Sequence, residues 1–183
     1  MTESEFAARH VYGDPDAPTS VVEFGDFECP YCAAAAPVLR ELVDGSEGAV
    51  RLVFRHFPMF EPHPYALTAA LAAEAAAEQG SFWAMHDVLF AHQDRLGDAE
   101  LTRYALDLGL DPATMVGAGV QRFGEAIEAD YAAGAALGVH GTPTLFLGPD
   151  SYTGRLELRA LRAAVARSLR SSGGGGVTPG AGR

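Results

Sequence analysis

The chain contains no lysine, and only two of its 183 residues are cysteine. All 13 basic side chains are therefore arginines, set against 24 acidic ones for a formal net charge of −11. That balance argues against a nucleic-acid or anionic-membrane partner, since either would favour a basic patch. Long apolar runs are missing too, and none approaches the roughly 18 residues that a membrane-spanning helix needs. The opening stretch, MTESEFAARHVYGDPDAP, shows neither the basic nor the apolar segment of a secretory signal. These absences lead to the expectation of a cytoplasmic protein with no membrane span. In a reducing compartment, two cysteines weigh against a structural disulfide, so the pair needs another explanation. Apolar material is plentiful: 48% of the residues are hydrophobic, enough for a sizeable core in one domain of this length.

Residues 1–19 are polar and rich in turn signals, with Gly13-Asp14-Pro15 and Pro18. TSVVEFGDF reads as a strand, with Val22, Phe24 and Asp26 on one face and Val21, Glu23 and Gly25 on the other. CPYCAAAAPVLRELV reads as a helix closing near Gly45, and AVRLVFRHF as a second strand stopped by PMFEPHP. Residues 64–137 turn helical. An alanine-rich stretch closes on Gly80. Ser81 is a candidate cap for a helix carrying Phe82, Met85, Leu89 and Phe90 at helical spacing. Asp98 and Asp111 are candidate caps further on, the latter followed by Pro112 at a first helical position. Strand character returns in TPTLFLG, followed by a turn at PDS, a short YTG segment and an amphipathic helix over residues 155–170. The order is strand, helix, strand, helical block, strand, strand, helix. It predicts an α/β layer carrying an inserted helical subdomain.

The two cysteines stand three apart in GDFECPYCAAAAP, between a strand and a helix. If the helix begins there, Cys29 is its N-cap, Pro30 is N1 and Cys32 is N3. Proline at N1 costs nothing, because its missing N–H would be unsatisfied anyway. The Cys29 sulfur then faces the free amides of Tyr31 and Cys32 at the positive end of the helix dipole, which lowers a thiol pKa. Cys32, one turn along, is placed to resolve a mixed disulfide. A zinc site is a weaker reading, because no second C-x-x-C or H-x-x-H supplies two further ligands. No metal and no bound organic cofactor is implied.

VVEFGDFECPYC, followed far downstream by GVHGTPTLFLG, resembles the DsbA-like thiol-disulfide oxidoreductases of the thioredoxin superfamily, in the soluble bacterial form with a helical insertion. The resemblance covers most of residues 9–170. It implies a thioredoxin-like fold of residues 1–62 and 138–170, a helical insertion over 63–137, and a disordered tail over 171–183. It also implies that Thr142-Pro143 is the family's cis-proline loop, lying against the dithiol and pairing with substrate backbone. Glu23, six residues before Cys29, matches the family's buried acid that takes the proton from Cys32. Pro37 matches a proline within the first helix, with a structural role. Pro30, Tyr31, Thr142, Pro143 and His140 form the expected substrate-facing rim, although His140 reads more readily as a solvated loop residue. Pro-Tyr between the cysteines is the glutaredoxin dipeptide. DsbA has Pro-His there, so a couple more reducing than DsbA is expected.

The activity implied is reduction or exchange of protein disulfides, with protein or small thiol and disulfide substrates. Glutathione or a thioredoxin-reductase-type protein is the expected electron partner. Two other readings remain: a glutathione-dependent transferase or isomerase on the same fold, and a binding module without turnover. Asp26 and Glu28 are expected on exposed loops, where they would raise the Cys29 pKa only if aimed at it. His56, His63, His86 and His92 fit ordinary helix or loop surfaces, and Phe82 and Trp83 fit the core of the insertion.

Overall fold

The structure, a computed structural model, describes residues 9–173, with side chains described up to residue 170. Five strands form one mixed sheet in the order β1-β3-β2-β4-β5. They are β1 (Val11–Tyr12), β2 (Thr19–Gly25), β3 (Val50–His56), β4 (Thr144–Leu147) and β5 (Asp150–Tyr152). β2 and β3 run parallel, with Glu23 opposite Phe54, and the helix α1 (Pro30–Asp44) makes the crossover between them. β4 runs antiparallel to β2 on its other side, with Phe24 opposite Thr144. β2 is thus the central strand, paired on both edges, and its residues are almost all buried because both faces of the sheet are packed.

The alternation read along β2 separates two packing layers. Val21 joins Leu52, Leu145 and Leu147 against α1 and the last helix, α6 (Leu158–Gly173). Val22 and Phe24 join Val53, Phe57 and Phe146 on the opposite face, near α5 (Gly124–Ala136). Asp26 belongs to neither layer, because the strand ends at Gly25. A Cβ at Gly25 would meet the Phe54 ring at 2.5 Å, so only glycine lets the strands close there.

Between β3 and β4 the chain makes the helical insertion. It contains α2 (Ala66–Glu78), α3 (Phe82–Ala91), α4 (Asp98–Asp107), two 3₁₀ turns and α5. Seven alanines of α2, at 66, 69, 70, 72, 73, 75 and 76, are buried. Small side chains on every face let neighbouring helices approach this one closely from several sides. The insertion shares one core with the dithiol: Phe27, Cys29, Cys32 and Phe54 pack with Phe82, Met85, Leu89 and Phe90. Phe82 is buried as expected, while Trp83 is half-buried and donates its indole N–H to the Val11 carbonyl.

Several local expectations shift. The polar lead-in contains a strand, β1, paired antiparallel with Leu52 and Val53; two residues are too few to show alternation. Gly97, not Asp98, is the N-cap of α4, and Asp98 sits in the first turn, where an acid still favours the helix dipole. Ser81 is the N-cap of α3 but makes no side-chain cap bond. Asp111 caps as expected, accepting from the Ala113 amide, but the following turn is 3₁₀ and only three residues long. β5 starts at Asp150, inside the expected turn. Helix α6 continues to Gly173, past the expected start of the tail at residue 171. Residues 174–183 lie outside the described residues.

Two histidines expected on surfaces are interior. His56 and His86 are each 1% exposed, because the insertion folds over the end of β3 and buries whatever lies beneath it. His86 is packed among Phe27, Phe54 and Phe90 rings and shares a hydrogen bond with Asp87. His56 belongs to a polar network that joins the N-terminal segment, β3, α2 and α5. The Nε2 atoms of His10 and His56 lie 2.9 and 3.1 Å from one oxygen of Glu74, and Arg9 donates to the same oxygen at 2.8 Å. Arg9 and Arg55 also pair with Asp130.

Candidate active site

Helix α1 begins at Pro30, with Cys29 as its N-cap in extended conformation (φ −74°, ψ 119°). Cys32 is then in the first turn, at position N3, and both cysteines are free thiols. Their surroundings differ. Cys29 is 3% exposed at the mouth of the site, Cys32 is fully buried behind it, and Tyr31 between them is 72% exposed.

That difference separates their acidities. The Cys29 thiol is held down at about 5, first by the hydrogen bond from Cys32. Thr142 and the backbone amides of Cys32 and Tyr31 add to this against the opposing cost of burial. Cys32 is pushed far up, chiefly by burial, then by its bond to Cys29 and by the nearby Glu23 carboxylate. The surroundings thus favour the thiolate at Cys29 and the protonated thiol at Cys32.

From the facing loop, Thr142 brings its carbonyl oxygen to 3.2 Å from the Cys29 sulfur, and the Thr142–Pro143 peptide bond is cis. The carbonyl contact suits the protonated thiol, which donates to it. The sulfur makes no cap hydrogen bond to the helix, and the nearby amides and the Thr142 side chain favour the thiolate by the charge they present to it. Pro143 is half-buried next to Thr142. His140 is exposed and makes no hydrogen bond to the dithiol among the described residues. Pro30 is exposed at the rim.

Glu23 lies beneath the cysteines on β2, fully buried, and neither of its carboxyl oxygens has a hydrogen-bond partner. Burial, with a smaller contribution from the Cys29 charge, raises its carboxyl to about 8. A carboxyl near neutrality beside a buried thiol can exchange a proton with it.

The loop that carries Cys29 is braced from outside. Asp26 is not exposed: its buried carboxylate accepts from the amides of Glu28 and Met59, at 2.8 Å each, and pairs with His63 Nδ1 at 2.8 Å. A carboxylate among three donors does not reach out to repel the thiolate. Glu28 is half-buried and accepts from the Tyr65 amide at 2.6 Å. Gln93, just beyond α3, donates Nε2 at 2.8 Å to the carbonyls of both Phe27 and Cys29. Neither Gln93 nor the Asp26–His63 pair carries a local motif; both contacts span more than 35 positions of sequence.

Among the described residues, one group of metal-ligating types lies together: His10, His56 and Glu74. The same Glu74 oxygen takes Arg9, and burial pressure on this carboxyl is outweighed by the histidine hydrogen bonds, which hold it well below the usual carboxylate range. With Arg9 and Arg55 set against Glu74 and Asp130, the network balances its own charge without a cation.

A mixed sheet, a helix opened by a C-P-Y-C dithiol, a facing Thr-Pro loop and a helical insertion define the DsbA-like thiol-disulfide oxidoreductase fold. The chain belongs to the thioredoxin family, whose sequence model, described as Thioredoxin, matches residues 6–167. The chain is similar in structure to a thioredoxin-like oxidoreductase from Silicibacter pomeroyi, with a TM-score of 0.80 and 30% identity over 93% of this chain and 99% of that one. It also resembles BdbD from Bacillus subtilis, with a TM-score of 0.76 and 23% identity over 87% of this chain and 92% of that one, a likeness that shows the fold alone. Among curated sequences it is 49% identical over 171 residues to a protein named Na(+)/H(+) antiporter NhaA 3 from Salinispora tropica, covering 89% of this chain. The chain spans about a quarter of the length of the curated relatives it matches. No helix among the described residues is long and apolar enough to cross a membrane.

Proposed function

We propose that the chain is a thiol-disulfide oxidoreductase that reduces or exchanges protein disulfides through Cys29 and Cys32. The observation that carries this reading is the placement of the pair: Cys29 at the N-cap of α1, 3.2 Å from the Thr142 carbonyl, and the free thiol of Cys32 in the first turn, buried behind it. The Cys29 thiolate attacks one sulfur of a substrate disulfide; that S–S bond breaks, a mixed disulfide forms, and the leaving sulfur takes a proton. Glu23, when ionised, accepts the proton of Cys32. The Cys32 thiolate then attacks Cys29, releases the second substrate thiolate and leaves a Cys29–Cys32 disulfide. Two electrons have passed to the substrate, and a thiol reductant such as glutathione or a reductase-type protein restores the dithiol.

The Thr142-Pro143 loop and the exposed Pro30 and Tyr31 form the surface on which a substrate chain is laid, with His140 as its outer edge. Tyr31 brings no positive charge to Cys29, so the reduced form gains less than it would from a charged neighbour. A thiol held at about 5 still stabilises it and sets the couple between a thioredoxin-type reductant and a DsbA-type oxidant. The reducing end of that range suits a cytoplasmic setting. Ion transport is not proposed for this chain, because its likeness to the antiporter-named relatives covers only a quarter of their length.

A glutathione-dependent transferase or isomerase needs one activated thiol. The buried Cys32, hydrogen-bonded to Cys29, counts against that reading and against a module without turnover. The test is an equilibrium titration of the dithiol against glutathione, together with trapping by Cys32→Ser. An intramolecular disulfide in the wild type and a persistent mixed disulfide on Cys29 in the variant are expected. A potential near about −270 mV marks a reductant and one near about −120 mV an oxidant suited to an oxidising compartment. Absence of a disulfide at any poise rejects the reading.

A further inference from the structure

We propose that Gln93 is a positioning residue for thiol-disulfide exchange: from the helical insertion it fixes the N-cap peptide that holds the Cys29 sulfur over the helix end. The inference rests on the dithiol reading above and deepens it. Gln93 follows α3, 64 residues from Cys29, yet both N–H groups of its amide are spent on this loop. One points to the carbonyl of Phe27 and the other to the carbonyl of Cys29, each at 2.8 Å. The amide orientation is unambiguous, since the reverse would set its oxygen against two carbonyl oxygens.

The Cys29 carbonyl is the hinge of the site. It already accepts the amides of Cys32 and Ala33, which open the helix. The peptide that carries it also sets ψ of Cys29, and so the direction in which the sulfur leaves the backbone relative to the Tyr31 and Cys32 amides. Within the loop itself, the Cys29 amide is tied to the Asp26 carbonyl at 3.1 Å. Gln93 supplies the link across the loop, from Phe27 to Cys29, and no other side-chain donor to either carbonyl occurs among the described contacts. Without it both carbonyls lose a donor in a core where water has little access, and the loop can relieve that loss by turning the Cys29 peptide. The sulfur then moves away from the amides and from Thr142 that lower its pKa. Gln93 touches neither sulfur; it acts through the backbone that carries one of them.

The test is the acidity of Cys29 in the full chain, read by thiolate absorbance and by the pH dependence of alkylation. Three variants are compared: Gln93→Met, which keeps the volume and loses the donors; Gln93→Lys, which keeps a donor; and Gln79→Met. Gln79 makes comparable bonds inside the insertion, to Ala75 and Thr114, away from the dithiol. In Gln93→Met the midpoint rises, and alkylation at pH 5 slows by about threefold or more, the scale set by one lost hydrogen bond. Gln93→Lys keeps a midpoint at or below that of the wild type, and Gln79→Met leaves it unchanged whatever it does to stability. An unshifted midpoint in folded Gln93→Met, or a raised midpoint in folded Gln93→Lys, overturns the inference while the dithiol reading stands. A shift in Gln79→Met equal to that in Gln93→Met overturns it as well, by showing a general effect of loosening the insertion. A wild-type Cys29 that titrates as an ordinary thiol rejects the dithiol reading itself.

Discussion

The sulfur of Cys29 and the carbonyl oxygen of Thr142 lie 3.2 Å apart, although 113 residues separate them in the chain. The contact is made by the sheet: β4, which follows Thr142-Pro143, runs antiparallel to β2, which leads to Cys29, with Thr144 opposite Phe24. The register that buries Val22 and Phe146 on one face therefore also delivers the Thr-Pro loop to the dithiol. Core packing and site assembly are here one constraint.

Thr142→Val tests the side-chain half of that contact. The backbone carbonyl stays, and the hydroxyl that helps to hold the Cys29 thiol down is lost. The midpoint of Cys29, followed by thiolate absorbance, rises by less than a full unit, because Cys32 and the two amides remain. The unfolding midpoint changes little, since Thr142 is only half-buried. A midpoint that does not move removes the Thr142 side chain from the site.

The pH profile follows from the sign of the Cys29 shift. Its folded value, about 5, lies below the ordinary 9.0, so the fold favours the thiolate. That contribution to the reduced protein is complete above the ordinary thiol value and is lost as pH falls through about 5; the oxidised protein never has it. Alkylation of Cys29 should be flat above pH 6 and fall about tenfold per pH unit well below the midpoint. The potential should change by about 59 mV per pH unit at low pH, where two protons accompany two electrons, and by about 30 mV where one does. A break near pH 9 instead would mean an unactivated thiol.

Glu23→Gln separates stability from catalysis. The Glu23 carboxyl is raised from 4.5 to about 8, so the fold prefers it protonated. The stability this gives is full below about pH 4.5 and is lost as pH rises through about 8. The introduced amide mimics the protonated acid, so the variant matches the wild type in acid and exceeds it in alkali, on the order of a few kcal/mol above pH 8. Denaturant unfolding at pH 5 and pH 9 reads the crossover. Resolution of the mixed disulfide by Cys32 slows, by about a hundredfold for loss of one general base. A variant with equal stability at both pH values would show that Glu23 is not the strained acid the geometry describes.

How much of this is legible in the sequence depends on range. The dithiol, its N-cap position and the strand before it are local patterns: a proline at N1 and an alternating apolar run need only their neighbours. Glu23, Thr142 and Pro143 emerge through family resemblance, because nothing within their own windows points to Cys29. Asp26 reads wrongly as exposed for the same reason; its three donors come from residues 28, 59 and 63, two of them beyond the strand β3. His56 and His86 mislead similarly. A strand end or a helix face looks polar and open until the insertion covers it; His56 then pairs with Glu74, and His86 pairs with Asp87 through Nδ1 alone while its buried Nε2 has no partner. Gln93 leaves no trace at all, since a glutamine after a helix is ordinary and its two acceptors lie more than sixty residues away.

The fit between insertion and sheet rests on Gly134. A Cβ there would meet Phe57 at 2.8 Å and Phe24 at 2.9 Å, both rings in the layer beneath α5. Gly134→Ala gains about 1 kcal/mol of helix propensity. Against this, forcing a methyl group into close-packed aromatic rings costs about 1–3 kcal/mol. Neither ring has a flexible end to withdraw: Phe24 is fully buried and meets Phe57 and Phe146 edge to face. Overpacking therefore outweighs propensity, α5 is pushed off the sheet, and the protein loses about 1 kcal/mol, measurable as a lower unfolding midpoint in urea. Cys29 is packed in a separate cluster, with Phe27 and Phe54, so its acidity should hold while stability falls. A Gly134→Ala chain as stable as the wild type would mean that α5 rides on this face with slack, and that the close contact of Gly134 with Phe24 does not position the insertion.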